Sequence, residues 1–204
     1  MNDKSRQWEL ISWELFYDMA RQLAFMIHND NYQPDIIIAI ARGGYTPARI
    51  LSDYLGVMDM TSFKVKHYLS TEKEAVAIIQ HPLAADVSGQ KILLVDDVSD
   101  TGDTFEAAID HINTCTNPTE IRSAVLHHKT VSKYKPDYYT REVTEWHWIT
   151  YPWAIIEDMT AFIKKMDPAP ACAEDITQKL WSEHDLEAPL QLVTDAFELS
   201  GIKK

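Results

Sequence analysis

Apolar residues at Leu15, Phe16, Met19, Ala20, Leu23 and Ile27 recur at helical spacing, so an amphipathic helix is predicted over 12–28. Ile36-Ile37-Ile38-Ala39-Ile40-Ala41 is apolar on both faces, as a central strand of a parallel sheet would be. Arg42-Gly43-Gly44-Tyr45 breaks the run. Thr46 then suits an N-cap, Pro47 the first helical position and Gly56 the stop, which predicts a helix over 47–55. Residues 58–69 and 75–80 read as a strand pair joined by the polar segment Ser70 to Glu74. Lys91 to Val95 is a buried strand that ends in Asp96-Asp97, and the loop Val98 to Gly102 follows. Phe105, Ala108, Ile109 and Ile112 mark the next helix, and Ile121 to Leu126 a further strand. A short strand over Trp146 to Thr150 and a helix over 153–165 close the alternating part of the chain.

Pro168-Ala169-Pro170-Ala171 is a boundary signal, followed by two amphipathic patterns at about 173–184 and 189–200. The expected organisation is a domain over 1–166 and a small helical C-terminal appendage over 167–204. Alternating strands and helices predict an α/β fold with a mostly parallel, twisted sheet flanked by helices. In such sheets ligands bind at the carboxyl ends of the strands, where the Arg42 turn and the Asp96 loop both fall.

Bulk properties narrow the partners. At 204 residues, 46% hydrophobic, the chain is long enough to bury a substantial core. A formal charge of -12 repels phosphate backbones, so nucleic acid is not expected as a partner. Cys115 and Cys172 have no metal or redox spacing, which suits a reducing compartment. Met1 to Ser5 is polar and leads into no apolar signal region, and the run Ile36 to Ala41 is too short to cross a bilayer. A cytoplasmic protein with no membrane partner is expected.

The most informative stretch is Ile92-Leu93-Leu94-Val95-Asp96-Asp97-Val98-Ser99-Asp100-Thr101-Gly102-Asp103-Thr104. Adjacent carboxylates at a buried strand end repel each other and are costly to desolvate unless a cation or hydrogen-bond donors lie opposite. Sugar hydroxyls or a magnesium-bound ligand satisfy both conditions. Hydroxyls, a glycine and the start of a helix then supply a cradle for phosphate. Carboxylates for a ribose beside amides for a phosphate describe a ribose-phosphate site. A P-loop needs Gly-x-x-x-x-Gly-Lys-Ser/Thr, which the chain lacks, and an aspartyl-phosphate enzyme would place a second Asp where Val98 stands.

This string resembles the signature of type I phosphoribosyltransferases that binds phosphoribosyl pyrophosphate (PRPP). The resemblance implies that Asp96 and Asp97 hold the ribose hydroxyls with magnesium nearby. Asp100, Thr101, Gly102, Asp103 and Thr104 would hold the 5′-phosphate, with Asp100 also the general acid/base at the base. Ala41-Arg42-Gly43-Gly44 is similar to the pyrophosphate loop of the same family, in which a non-proline cis peptide is expected. Lys64 and Lys66 are either pyrophosphate contacts or strand-surface lysines, and Lys66 is assigned to pyrophosphate. The loop that covers the reacting centre is expected within 66–80.

Two later features resemble the purine subgroup, in particular archaeal-type and xanthine-guanine-type enzymes. Lys129 follows the strand 121–126 and would donate to a 6-oxo oxygen. In Trp148-Ile149-Thr150-Tyr151-Pro152-Trp153, Trp148 would stack on the base and Ile149 present backbone groups to its edge. Trp146 and Trp153 read as core residues. The resemblance covers about 10–160 and implies a magnesium-dependent transfer from PRPP to hypoxanthine, guanine or xanthine. A dimer or tetramer is expected. Two other readings stay open: a PRPP-binding regulator without catalysis, and a transferase for another acceptor.

Overall fold

The computed structural model describes residues 8–69 and 75–201. Contacts divide the chain into two compact units, one over Tyr17–Thr144 and one combining the segment through Phe16 with Glu145 onward.

Within the larger unit, β2 (Ile36–Ala41), β3 (Met60–Leu69), β5 (Lys91–Val95) and β7 (Glu120–Lys129) form a parallel sheet. Its order is β4-β3-β2-β5-β7, in which β4 (Ala75–His81) is antiparallel to β3. The run of six apolar residues in β2 is explained by burial on both faces. Ile36, Ile38 and Ile40 pack in one cluster with Ile92, Leu94 and Val125 and with Phe105, Ala108 and Ile112 of helix α3 (Asp103–Cys115). Successive strand residues point to opposite faces, so Ile37 and Ala39, fully buried too, serve the other side. Each buried isoleucine contributes roughly 1.5–3 kcal/mol by leaving water. Helix α1 (Trp13–Asn29) buries Met19, Ala20, Leu23, Ala24 and Ile27, the stripe its spacing predicts.

Three details differ from the sequence expectation. Helix α2 (Tyr45–Leu55) begins two residues early, with Gly44 rather than Thr46 as its N-cap. The Gly44 N–H reaches back to Ile40 O at 2.9 Å, so the chain turns before Thr46 is reached. Pro47 is tolerated because first-turn N–H groups have no intrahelical partner. Gly56 closes the helix in the left-handed region, as predicted. Second, the strand does not end at the acidic pair. Two-residue β6 (Val98–Ser99) pairs with His127–His128 in the register that β5 holds on Glu120–Ala124, so Asp96-Asp97 interrupt a strand that resumes. Third, an unforeseen edge strand, β8 (Tyr138–Val143), pairs with the other side of β7.

In the smaller unit, β1 (Trp8–Leu10) pairs in parallel with β9 (Trp148–Thr150). Helices α4 (Ile155–Lys165), α5 (Ala173–His184) and α6 (Leu190–Ser200) share a core of Trp8, Met159, Ile163, Ile176, Leu180 and Val193. The two C-terminal helices stand where their spacing places them. Met159 and Ile163 of α4 belong to the same buried cluster as Ile176 and Leu180 of α5 and Val193 of α6. Pro168, after a cis peptide, marks a turn inside this unit.

Candidate functional site

The larger unit gathers the two unusual loops at the carboxyl ends of its central strands. The Ala41–Arg42 peptide at the end of β2 is cis, as the resemblance implied. Gly43 and Gly44 are dictated by contact. A Cβ on Gly43 would lie 2.5 Å from Asp97 Oδ2, and one on Gly44 would lie 2.2 Å from Val95 O and 2.8 Å from Ile40 O. The glycines let the β2 turn lie directly against the acidic kink, which brings Arg42 and Asp97 to one locality.

Asp96 is 9% exposed and accepts the Asp97 backbone N–H at 2.9 Å. Burial, and then the negative charge of Asp97, push its carboxyl well above the ordinary range, against the help of the Asp97 and Gly44 amides. Such a pair gains most from a cation or a set of hydroxyl donors. Among the described residues no cluster of three or more His, Cys, Asp or Glu could enclose a metal. Magnesium bound through one or two carboxylates and completed by substrate phosphates and water needs none, and Asp96 with Asp97 fit that donor set.

Beyond the kink, the chain enters α3 through Gly102 (φ 93), where no side chain caps the helix. The Asp103 N–H reaches Thr101 Oγ1 at 3.4 Å, and the next first-turn N–H groups suit an anion. Thr101 Oγ1 donates to Asp103 Oδ2 at 2.8 Å, and Lys133 Nζ lies 3.4 Å from Asp103 Oδ1. The Thr101 hydroxyl first, and then Lys133, hold the Asp103 carboxyl below its ordinary value. Thr104 Oγ1 lies 2.9 Å from His67 Nε2 on β3. A cavity of about 180 Å³ sits here, lined by His67, Asp96, Asp97, Asp100, Gly102 and Thr104 among others. Behind it Tyr134 stacks on Phe105 at 5.0 Å, and Ser132 and Tyr134 leave no room for a Cβ on Gly102.

Lys129, at the end of β7, is almost wholly buried, and its Nζ is 3.1 Å from Asp100 Oδ1. The residue read as the general acid/base and the residue read as the 6-oxo donor are therefore an ion pair. Lys64 aligns in register with Ala41, whereas exposed Lys66 lies two residues farther along the hairpin. Of the covering loop expected in 66–80, residues 70–74 lie outside the described residues.

A sequence profile for the phosphoribosyl transferase domain matches residues 7–156, about three quarters of the chain. The chain belongs to the phosphoribosyl transferase family. Among its relatives, a xanthine-guanine phosphoribosyltransferase of Cereibacter sphaeroides is 30% identical, over 70% of this chain and 84% of that protein. One from Chromohalobacter salexigens is 26% identical over 81% of this chain and 98% of that protein. Among solved structures, a purine phosphoribosyltransferase from Pyrococcus horikoshii is similar with a TM-score of 0.64 and 33% identity, covering 72% of this chain and 94% of that one. A Neisseria gonorrhoeae protein with bound ppGpp has a TM-score of 0.63 and 26% identity, covering 72% and 89%. The fold of the phosphoribosyltransferase is thus the α/β arrangement expected, with C-terminal helices.

Trp148 and Ile149 belong to the smaller unit of this phosphoribosyltransferase, on β9. The Trp148 ring is 45% exposed and donates its indole N–H to Asp158 Oδ2 at 3.0 Å. Trp153 stacks on Tyr151 at 5.0 Å and meets Phe16 edge-on, in keeping with a core role. Trp146 does not: it is 56% exposed, because β9 begins at Trp148 and leaves Trp146 in the preceding turn. His67, Lys133 and Asp158 carried no role in the sequence reading. Only the proximity of Lys133 to the Lys129 string offered a hint, since the contacts of all three depend on distant elements.

Proposed function

We propose that this phosphoribosyltransferase moves the phosphoribosyl group of PRPP onto a 6-oxopurine (hypoxanthine, guanine or xanthine) and releases pyrophosphate. The observation that carries this is the Lys129–Asp100 ion pair, 3.1 Å across, beside the phosphate cradle. A 6-oxopurine presents a carbonyl oxygen and a ring nitrogen that loses or gains a proton on one edge. A buried ammonium and a carboxylate side by side match those two groups. The named relatives act on xanthine and guanine, and the gonococcal structure holds a guanine nucleotide bearing pyrophosphate groups, which agrees in chemistry.

In this reading Asp96 and Asp97 take the ribose hydroxyls. The loop from Asp100 to Thr104 takes the 5′-phosphate with the amides at the start of α3, and Ala41, Arg42, Gly43, Gly44 and Lys66 serve the pyrophosphate. Magnesium, held by Asp96 and Asp97 with the phosphates, would offset charge on the leaving pyrophosphate. The bond from the anomeric carbon to pyrophosphate breaks as the ring nitrogen attacks, so the chain's task is placement more than covalent chemistry. Fixing two reactants supplies about 7–11 kcal/mol. Arg42 and the turn amides meet charge as it develops. Asp100 manages the proton on the base, with Trp148 as the stacking surface and Ile149 at its edge.

Incubation with PRPP, magnesium and each base in turn, followed by nucleotide absorbance, tests the reading. Turnover with one or more 6-oxopurines is expected. PRPP binding without turnover on any base would instead mean a regulator, and turnover only with another acceptor would move the specificity elsewhere.

A further inference from the structure

The smaller unit contains a hydrogen-bond chain whose direction is fixed by chemistry. An indole N–H only donates. Trp8 Nε1 donates to Thr150 Oγ1 at 2.8 Å, so the Thr150 hydroxyl must send its own proton onward, to Asp158 Oδ2 at 2.6 Å. The same oxygen accepts the Trp148 indole N–H at 3.0 Å. Thr150 is 1% exposed and Trp8 is 7% exposed, so this part of the chain is built into the core. Asp158 stands in the first turn of α4, where the helix dipole favours a carboxylate. Trp148, by contrast, is 45% exposed and meets Trp146 edge-on at 6.4 Å. Its anchor to the core is the Asp158 oxygen.

We propose that Asp158 is a positioning residue for the purine: it pins the Trp148 indole in one orientation before the base arrives. The inference rests on Trp148 being the stacking surface. An exposed ring already held in its binding rotamer saves the ordering cost that a free ring would incur on association. The effect of Asp158 should therefore fall on the base and spare PRPP.

Steady-state kinetics on D158A, D158N, W148F and the double variant W148F/D158A test this. D158A should raise KM for the base about ten-fold, the worth of one hydrogen bond to a charged acceptor, and leave KM for PRPP within about two-fold. D158N keeps a carbonyl oxygen that accepts the indole N–H and should recover most of the loss. W148F keeps a ring and removes the N–H, so it should resemble D158A, and D158A should add little in the W148F background. Parallel rises in both KM values, or an undiminished effect of D158A beside W148F, would overturn the proposal. If D158A fails to fold, D158N and W148F still decide it. Independently of turnover, the Trp148 indole N–H resonance, identified by its loss in W148F, should exchange with solvent faster in D158A; equal exchange would also refute the anchor. A wild-type protein inactive on every base, with this exchange difference intact, would refute the proposed reaction and not the hydrogen bond.

Discussion

Gly43 and Gly44 are adjacent, yet adding one methyl group to each should do opposite things. A Cβ at Gly43 meets the Asp97 carboxylate first, at 2.5 Å from Oδ2 and 2.6 Å from Cγ and Oδ1. Ordinary contact begins at 3.4 Å, so the carboxylate must withdraw by about 0.9 Å, the difference of the two distances. A side chain can make that movement, so G43A should stay folded, with stability changed by less than about 1 kcal/mol. Function should not survive so well. A misplacement of about 1 Å in a group that positions substrate costs on the order of 100-fold, close to 2.7 kcal/mol. A Cβ at Gly44 meets backbone instead, at 2.2 Å from Val95 O and 2.8 Å from Ile40 O, both at the ends of central strands. Neither carbonyl can move without the sheet, so G44A should lose about 1–3 kcal/mol or more of stability. Scanning calorimetry measures the second effect, where roughly 2–4 °C in Tm is expected per kcal/mol. Titration calorimetry of PRPP with magnesium, together with turnover, measures the first. A G43A protein with wild-type PRPP affinity and wild-type rate would refute the claim that Asp97 acts from its place over the turn.

Asp100→Asn should cut turnover by about 10²–10⁴-fold with a modest loss of PRPP affinity, and an unchanged rate would remove Asp100 from proton transfer. Trp148→Ala should weaken the base more than PRPP, whereas equal losses in the two KM values would make Trp148 a structural residue only. The Asp103 carboxyl is held below its ordinary value by Thr101 and then by Lys133, so the folded state favours its ionised form. That contribution to stability is complete above the ordinary value of 3.8 and is lost as pH falls through the lowered one. Acid unfolding of the ligand-free D103N variant should accordingly depend less steeply on pH below about 4, and superimposable acid limbs would show that the Thr101 and Lys133 contacts carry no stability.

Several elements were visible because they depend on a local rule. The two-faced apolar run of β2, the 3.6-residue spacing of α1 and α3, and Gly56 as a left-handed stop each follow from residues within one element, and each stands where expected. The elements left unseen rely on a distant partner. Strand β1 is three residues long and exists as a strand only through β9, some 140 residues away. Strand β8 reads Tyr-Tyr-Thr-Arg-Glu-Val, with its polar residues on an edge where water takes the place of a further strand, so neither continuous nor alternating apolarity marks it. Likewise α4 has a stripe that suits any apolar surface, and periodicity alone could not assign Met159 and Ile163 to the C-terminal helices.

The same division runs through the candidate site, whose groups are unequally visible in the sequence. Asp96, Asp97 and the Asp100 loop are legible because unusual groups sit side by side in the chain, so their mutual cost is written in the sequence. The Lys129–Asp100 pair is not, because the two lie 29 positions apart and meet only when β7 carries Lys129 past the resumed strand at Ser99. The pairing changes what each residue can be. Lys129 is buried, in a poor solvent for an ammonium, and half-exposed Asp100 sets a carboxylate beside it. Set side by side, the two opposite charges leave the pair without a net charge. The strand resumes at Val98-Ser99 after the interruption at Asp96-Asp97, and this return to β7 is what sets Asp100 beside Lys129 to complete the pair.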